Sequence, residues 1–343
     1  MHIFPFSEVR WGIIGCGDVT EVKSGPALNL AEGSRLVAVM RRNAAKAEDY
    51  ARRHGVPYWF DDAQKLIHHP EVNAIYIATP PDSHAYYTLM AANAGKPVYV
   101  EKPMARTWNE CQTMIKACEA AGVPLYVAYY RRLLPNFLKV RALIESGEIG
   151  TVRLVNIRLY QSPKPEVLPK SLEGQTENWR INPEIAGGGY FYDLASHQLD
   201  FLDYLFGPIT SVSGFYANQA GNYAAEDIVS GSFVFENGVL GTGMWSFSVA
   251  HSAAFEETEI VGSEGKITFS YFSGAPVVLE NGSGKQEFSF DMPRHIQQPM
   301  IQSVVNDLLG KGKMPQYRRF CCPHQCSHGK NQTLIIFSLP PFS

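Results

Sequence analysis

Four short patterns in this 343-residue chain place chemistry-bearing residues at informative spacings. Gly15-Cys16-Gly17-Asp18-Val19-Thr20 is a glycine turn of the kind that brings a backbone close to a pyrophosphate lying on a helix N-terminus. Thr20 stands where such a fingerprint has its third glycine. Arg41-Arg42-Asn43 comes about 25 residues later, where a site for NAD usually carries an acidic residue for the ribose hydroxyls. Guanidinium groups there suit a 2′-phosphate through charge-assisted, bidentate bonds, which favours NADP(H) and leaves NAD(H) open. Glu101-Lys102-Pro103 offers an ammonium group able to move a proton to or from a hydroxyl or carbonyl. Asp193 and His197 are four residues apart, on one face of a helix, where a carboxylate and an imidazole can hold a hydroxylated molecule and exchange its proton. Each pattern alone also has a plainer reading: an incidental turn, a solvated arginine pair, a surface turn and a helix salt bridge.

The surrounding periodicity supplies the elements that position these groups. Apolar runs at residues 9–14, 35–40, 74–78, 97–100 and 125–128 alternate with helical stretches at 44–54, 61–68, 84–94 and 108–121. Repeated strand and helix units separated by Gly and Pro predict a parallel sheet covered on both faces. After about Tyr130 the texture changes. A helix is expected over 136–146, a strand over 152–160, and an amphipathic helix after the triplet Gly187-Gly188-Gly189. From 209 to 290 the chain reads as successive strands joined by turns such as Asn237-Gly238, and a last helix is expected over 299–309. The expected fold is an α/β Rossmann dinucleotide-binding domain over residues 1–128, followed over 129–313 by an α+β domain with a large, mainly antiparallel open sheet.

Taken in order, the Gly-x-Gly-x-x-Thr turn, Ala78-Thr79-Pro80-Pro81-Asp82-Ser83-His84, Glu-Lys-Pro and Gly-Gly-Gly-x-x-x-Asp-x-x-x-His resemble the Gfo/Idh/MocA oxidoreductases over about residues 9–313. The resemblance implies that Lys102 and His197 line the nicotinamide and substrate and that Asp193 helps bind the substrate. Which of the first two is the principal acid/base stays open, because it differs among family members. It further implies that Thr79, Pro80, His84, Glu101 and Lys102 lie along the cofactor. Tyr129 and Arg131 are expected to face the cleft, and Trp179 and Arg180 to sit near the substrate, with a core position open for Trp179. Hydride transfer to or from a ring carbon of a sugar, polyol or related cyclic compound is the implied reaction. Two alternatives remain at this level, an NAD-dependent glycosidase and a ligand-sensing regulator. The arginine pair counts against the first, and retention of Lys102, Asp193 and His197 against the second.

Composition bounds the partners. With 30 Lys and Arg against 33 Asp and Glu, a net charge of -3 and no run of like charge, neither nucleic acid nor an acidic membrane is an expected partner. No apolar stretch is long enough to span a bilayer and no leader peptide is evident, so the expectation is a cytoplasmic protein. A homodimer or homotetramer through the open sheet is expected, since such a sheet needs one face covered. Cys321, Cys322, His324, Cys326 and His328 have the chemistry of zinc ligands but poor spacing, and no metal is expected. Family members continue here with a Cys-Pro-Ser-Thr-Gly segment. With one permitted choice of synonymous codons from Met314, reading one base later gives CPSTGVSAARTNAAMGKTKL and a stop. Residues 314–343 thus read as a frameshifted tail, which resequencing across Lys313 checks.

Overall fold

A computed structural model describes residues 6–167 and 178–314. Apart from Met314, the expected frameshifted tail and its cysteine and histidine cluster lie outside the described residues. Among these, one compact unit holds the chain up to Leu133 and from Met292 onward, and the other runs from Leu134 to Asp291.

The first unit alternates strands and helices: β1 (Val9–Ile14), α1 (Asp18–Val22), α2 (Gly25–Leu30), β2 (Ser34–Met40), α3 (Ala44–His54), β3 (Tyr58–Phe60), α4 (Ala63–Ile67), β4 (Ala74–Ile77), α5 (His84–Asn93), β5 (Val98–Val100), α6 (Trp108–Ala121) and β6 (Leu125–Val127). All six strands are parallel, in the order β3-β2-β1-β4-β5-β6. β4 and β5 are buried along their whole length, as strands covered on both faces must be. The order reverses between β1 and β4, and ligands of such sheets bind at the carboxyl ends of the strands flanking that switch. The helix-compatible stretch after Gly17 is two short helices rather than one. Pro26 lacks an N–H, and a Cβ on Gly25 would come within 2.2 Å of the Thr20 carbonyl oxygen and 2.3 Å of the Tyr50 hydroxyl, so the chain turns there.

The second unit contains α7 (Pro135–Glu145), β7 (Val152–Tyr160), α8 (Pro183–Ala186), α9 (Tyr190–Phe206), β8 (Ile209–Ala217), β9 (Ile228–Phe235), β10 (Leu240–Ser246), β11 (Phe255–Gly262), β12 (Gly265–Phe269), β13 (Val277–Asn281) and β14 (Gly284–Phe288). Its eight strands run β14-β13-β12-β11-β7-β10-β9-β8, antiparallel except for the central pair β7 and β10. Alternation decides the faces. Val155, Ile157 and Leu159 of β7 are buried, while Leu154 on the opposite face is exposed, as are Phe215, Leu240 and Phe255. Under the buried face Phe137 of α7 meets Phe201 of α9 edge to face at 4.9 Å and Tyr271 at 4.9 Å. Trp245 of β10 donates its indole N–H to Gln198 Oε1 of α9 at 2.7 Å.

The last described helix, α10 (Gln298–Leu308), packs in the first unit. Its buried residues Met300, Ile301, Val304, Val305 and Leu308 follow helical spacing, and Tyr126 of β6 donates to Asp307 Oδ2 at 2.6 Å. Among the described residues no helix is long and apolar enough to cross a membrane.

Candidate functional site

In the first unit the expected cofactor residues gather at the carboxyl ends of β1, β2, β4 and β5. Gly15 has φ of +91°, and its N–H and that of Cys16 both donate to the Met40 carbonyl, at 2.9 and 3.2 Å. A Cβ on Gly15 would lie 2.6 Å from Thr79 Cγ2 and 2.9 Å from the Thr79 backbone nitrogen, so only glycine fits. Gly17 differs. A Cβ there would meet only the Gly15 carbonyl oxygen, at 3.8 Å, so the protein itself does not require glycine at this position. The open cradle fits a ligand phosphate approaching the backbone. Asp18 and Val19 form the start of α1. Thr20, in place of a third glycine, is fully buried and closes the turn: its hydroxyl accepts from the Gly17 N–H at 3.0 Å and donates to the Gly17 carbonyl at 2.8 Å.

This turn is braced from α3. The Tyr50 hydroxyl donates to the Thr20 carbonyl at 2.8 Å, and Arg53 bonds Glu21 through both Nη atoms, at 2.8 and 2.7 Å. The Arg53 bonds, followed by a contact from His54, draw the Glu21 carboxyl down to about 2. Burial pushes the Cys16 thiol up to about 11, which removes it as a nucleophile. Arg41 Nη1 donates to the Cys16 carbonyl at 3.3 Å, so one guanidinium of the pair lies against the fingerprint turn, while Arg42 is exposed. Asn43 caps α3 by accepting from the Lys46 N–H at 3.0 Å.

Thr79 and Pro80 follow β4. His84 is fully buried, with Nε2 2.8 Å from the Thr79 carbonyl oxygen and Nδ1 3.1 Å from those of Pro103 and Met104. It therefore ties the loop after β4 to the loop after β5. Burial holds its pKa below the usual imidazole value, against the opposing pull of those carbonyls. Glu101 is 7% exposed and turned inward, and a cis peptide joins Lys102 to Pro103. Tyr129 is buried, and the Arg131 guanidinium lies 5.5 Å from the Tyr130 ring centre.

In the second unit the glycine triplet shapes the start of α9. Gly187 has φ of +85°, a Cβ on Gly188 would meet the Tyr192 ring at 2.1 Å, and one on Gly189 would meet Ala225 Cβ at 2.9 Å. Asp193 and His197 follow on one face of α9. Arg180 Nε lies 3.8 Å from Asp193 Oδ2, with the guanidinium 4.4 Å from the centre of the Trp179 ring. Trp179 is half-buried and not core. His197 is 3% exposed, its ring 6.3 Å from that of Phe272.

Several neighbours of these groups carried no sequence signal strong enough to single them out. The Asn178 side chain donates to the Tyr190 hydroxyl at 3.2 Å, and Lys164 Nζ lies 4.2 Å from the centre of that ring. Glu226 Oε1 accepts from the Gly189 N–H at 3.5 Å, and burial pushes its carboxyl above the usual range. Two adjacent carboxylates leading into a strand, Glu226-Asp227, were the available hint.

Two family models match the chain. One, described as an oxidoreductase family with an NAD-binding Rossmann fold, covers residues 9–129, and the GFO/IDH/MocA C-terminal domain covers residues 137–268. Oxidoreductase P35 of Formosa agariphila is 41% identical over 309 residues, 90% of this chain and 94% of the relative. The 1,5-anhydro-D-fructose reductase of Ensifer adhaerens is 28% identical over 312 residues, 89% of each chain. A levoglucosan dehydrogenase solved with NADH and levoglucosan has a TM-score of 0.79 at 23% identity, covering 90% of this chain and 91% of that one, a likeness of fold.

Proposed function

The chain belongs to the Gfo/Idh/MocA family of oxidoreductases, and from that premise we propose that it is an NADP(H)-preferring enzyme moving a hydride to or from a ring carbon of a sugar, polyol or related cyclic compound. Arg41 carries the cofactor preference: its guanidinium rests on the fingerprint turn, the residues that follow β2 are Arg41, Arg42 and Asn43 with no acidic residue among them, and Asn43 is occupied in capping α3. The sugar derivatives named for the anhydrofructose reductase and the levoglucosan dehydrogenase support the substrate class.

In this reading residues 1–128 bind the cofactor and residues 129–313 the substrate, α10 excepted. Oxidation of an alcohol removes a hydride from carbon and a proton from its oxygen. Bound nicotinamide supplies the hydride acceptor. Lys102 or His197 takes the proton, the two being the candidate acid/base groups, and Asp193, steadied by Arg180, accepts a hydrogen bond from a substrate hydroxyl. The exposed apolar residues Leu154, Phe215, Leu240 and Phe255 on the outer face of the open sheet support a homodimer or homotetramer.

The test is a fluorescence titration with NADPH and NADH, followed by a polyol and keto-sugar panel read at the nicotinamide absorbance, with light scattering on the same preparation. NADPH is expected to bind tighter, and Arg41→Ala to weaken NADPH about tenfold or more while sparing NADH. Tighter binding of NADH would overturn the cofactor preference, a silent panel the substrate class, and a monomer the assembly.

A further inference from the structure

Glu101 is a buried carboxylate held by hydrogen-bond donors alone. Its Oε1 accepts from the Tyr76 hydroxyl at 2.5 Å and from the Gln297 side-chain amide at 2.7 Å, and its Oε2 accepts from the Lys102 backbone N–H at 3.3 Å. No lysine or arginine among the described residues forms an ion pair with it, so these donors are what offset the cost of burying the charge. Both supporting side chains are fully buried and aimed by their own partners. Gln297 Oε1 accepts from the Tyr99 hydroxyl at 3.1 Å, which leaves its NH2 group facing Glu101, and its backbone N–H donates to the Lys23 carbonyl at 3.2 Å. The Tyr76 phenol lies 2.9 Å from Ser24 Oγ. Burial, and then the Glu101 charge, hold that phenol's pKa well above its usual value, so it remains a donor.

We propose that Tyr76 and Gln297 are positioning residues for the Glu-Lys-Pro turn: they fix the Glu101 carboxylate, and Glu101 fixes the backbone from which the Lys102 side chain springs. A residue at the N-cap of α10, nearly 200 positions away in sequence, thereby helps set the place of a proton-transfer lysine. The inference rests on the proposed role of Lys102.

Gln297→Met and Tyr76→Phe remove the two donors while keeping shape. Each is expected to lower kcat by about tenfold to a hundredfold at saturating cofactor and substrate, with the KM of the turned-over panel compound and NADPH affinity within about twofold of the parent. In a Lys102→Ala background the same substitutions are expected to leave the residual kcat unchanged. Loss by the same factor in both backgrounds would reduce the pair to a packing role and overturn the proposal. A second readout needs no substrate. Hydrogen exchange at the Lys102 amide is expected to quicken in Gln297→Met while amides of β1 keep their protection, and unchanged exchange at Lys102 counts equally against the proposal. If Lys102→Ala alone leaves kcat intact, the proposed function of Lys102 fails, and the exchange result shows separately whether the positioning contact exists.

Discussion

Lys102→Ala and His197→Ala are each expected to lower kcat by about two to four orders of magnitude, the range spanned by a lost general acid or base. NADPH should still bind, less tightly where Lys102 beside the proposed cofactor is lost, because the proposed phosphate contacts at the fingerprint turn and Arg41 are left intact by either substitution. The larger loss identifies the principal acid/base. The double variant should fall little below the worse single one, since residues that serve one proton path are not additive. Asp193→Asn should act differently, raising the substrate KM more than it lowers kcat, because its assigned task is to hold a hydroxyl. Stopped-flow absorbance at the nicotinamide band, with single-turnover traces to separate binding from chemistry, reads all four variants. Retention of more than about a tenth of kcat in both single variants, when general catalysis is worth a hundredfold or more, would remove the pair from the mechanism.

Gly15→Ala and Gly17→Ala should fail in opposite ways although they are two residues apart. At Gly15 the backbone φ of +91° and the Thr79 backbone nitrogen 2.9 Å from the added methyl make the chain itself resist the change. Positive φ alone costs an L-residue roughly 1–2 kcal/mol, and the forced shift of the loop after β4 adds to it, so a loss of about 2–4 kcal/mol is expected. At Gly17 the added methyl meets no protein atom closer than 3.8 Å, so thermal unfolding without cofactor should match the parent. On the proposed placement of the cofactor the methyl instead occupies the space through which the pyrophosphate would approach, and NADPH affinity should fall by tenfold or more, about 1.4 kcal/mol or above. Unfolding scans with and without NADPH separate the two. A Gly17→Ala protein that NADPH stabilises as fully as the parent would mean that the phosphates do not sit on this turn.

The parts of this molecule that were legible in sequence are those governed by short-range rules. The helix over 108–121 and the strand over 152–160 lie where periodicity and turn residues place them, and the glycine fingerprint follows a strand as expected. The less legible parts depend on contacts between distant segments. The break at Gly25-Pro26 is enforced in part by Tyr50, a helix and a strand further on in α3. β3 is only three residues long and has too few positions to show a period. The parallel pairing of β7 with β10 depends on which strands meet and not on their composition. Within the candidate site, residue types pointed to Lys102, Asp193 and His197, but the inward turn of Glu101 is set by Tyr76 and Gln297, neither of which carries a local pattern. The return of α10 to the first unit is likewise invisible in its own amphipathic spacing, which says that one face is buried and not against what.

That return has a consequence for synthesis. A ribosome makes the chain in order, so the six parallel strands are complete by Val127 while Gln297 and α10 have yet to be translated. The intervening stretch, Leu134 to Asp291, takes on the order of ten seconds or more at ordinary elongation rates. Throughout that interval the nascent first unit lacks one of the donors to Glu101, and Tyr126 lacks its acceptor on α10. The cofactor half therefore begins first and is finished last, and its final locking step follows the making of the other half.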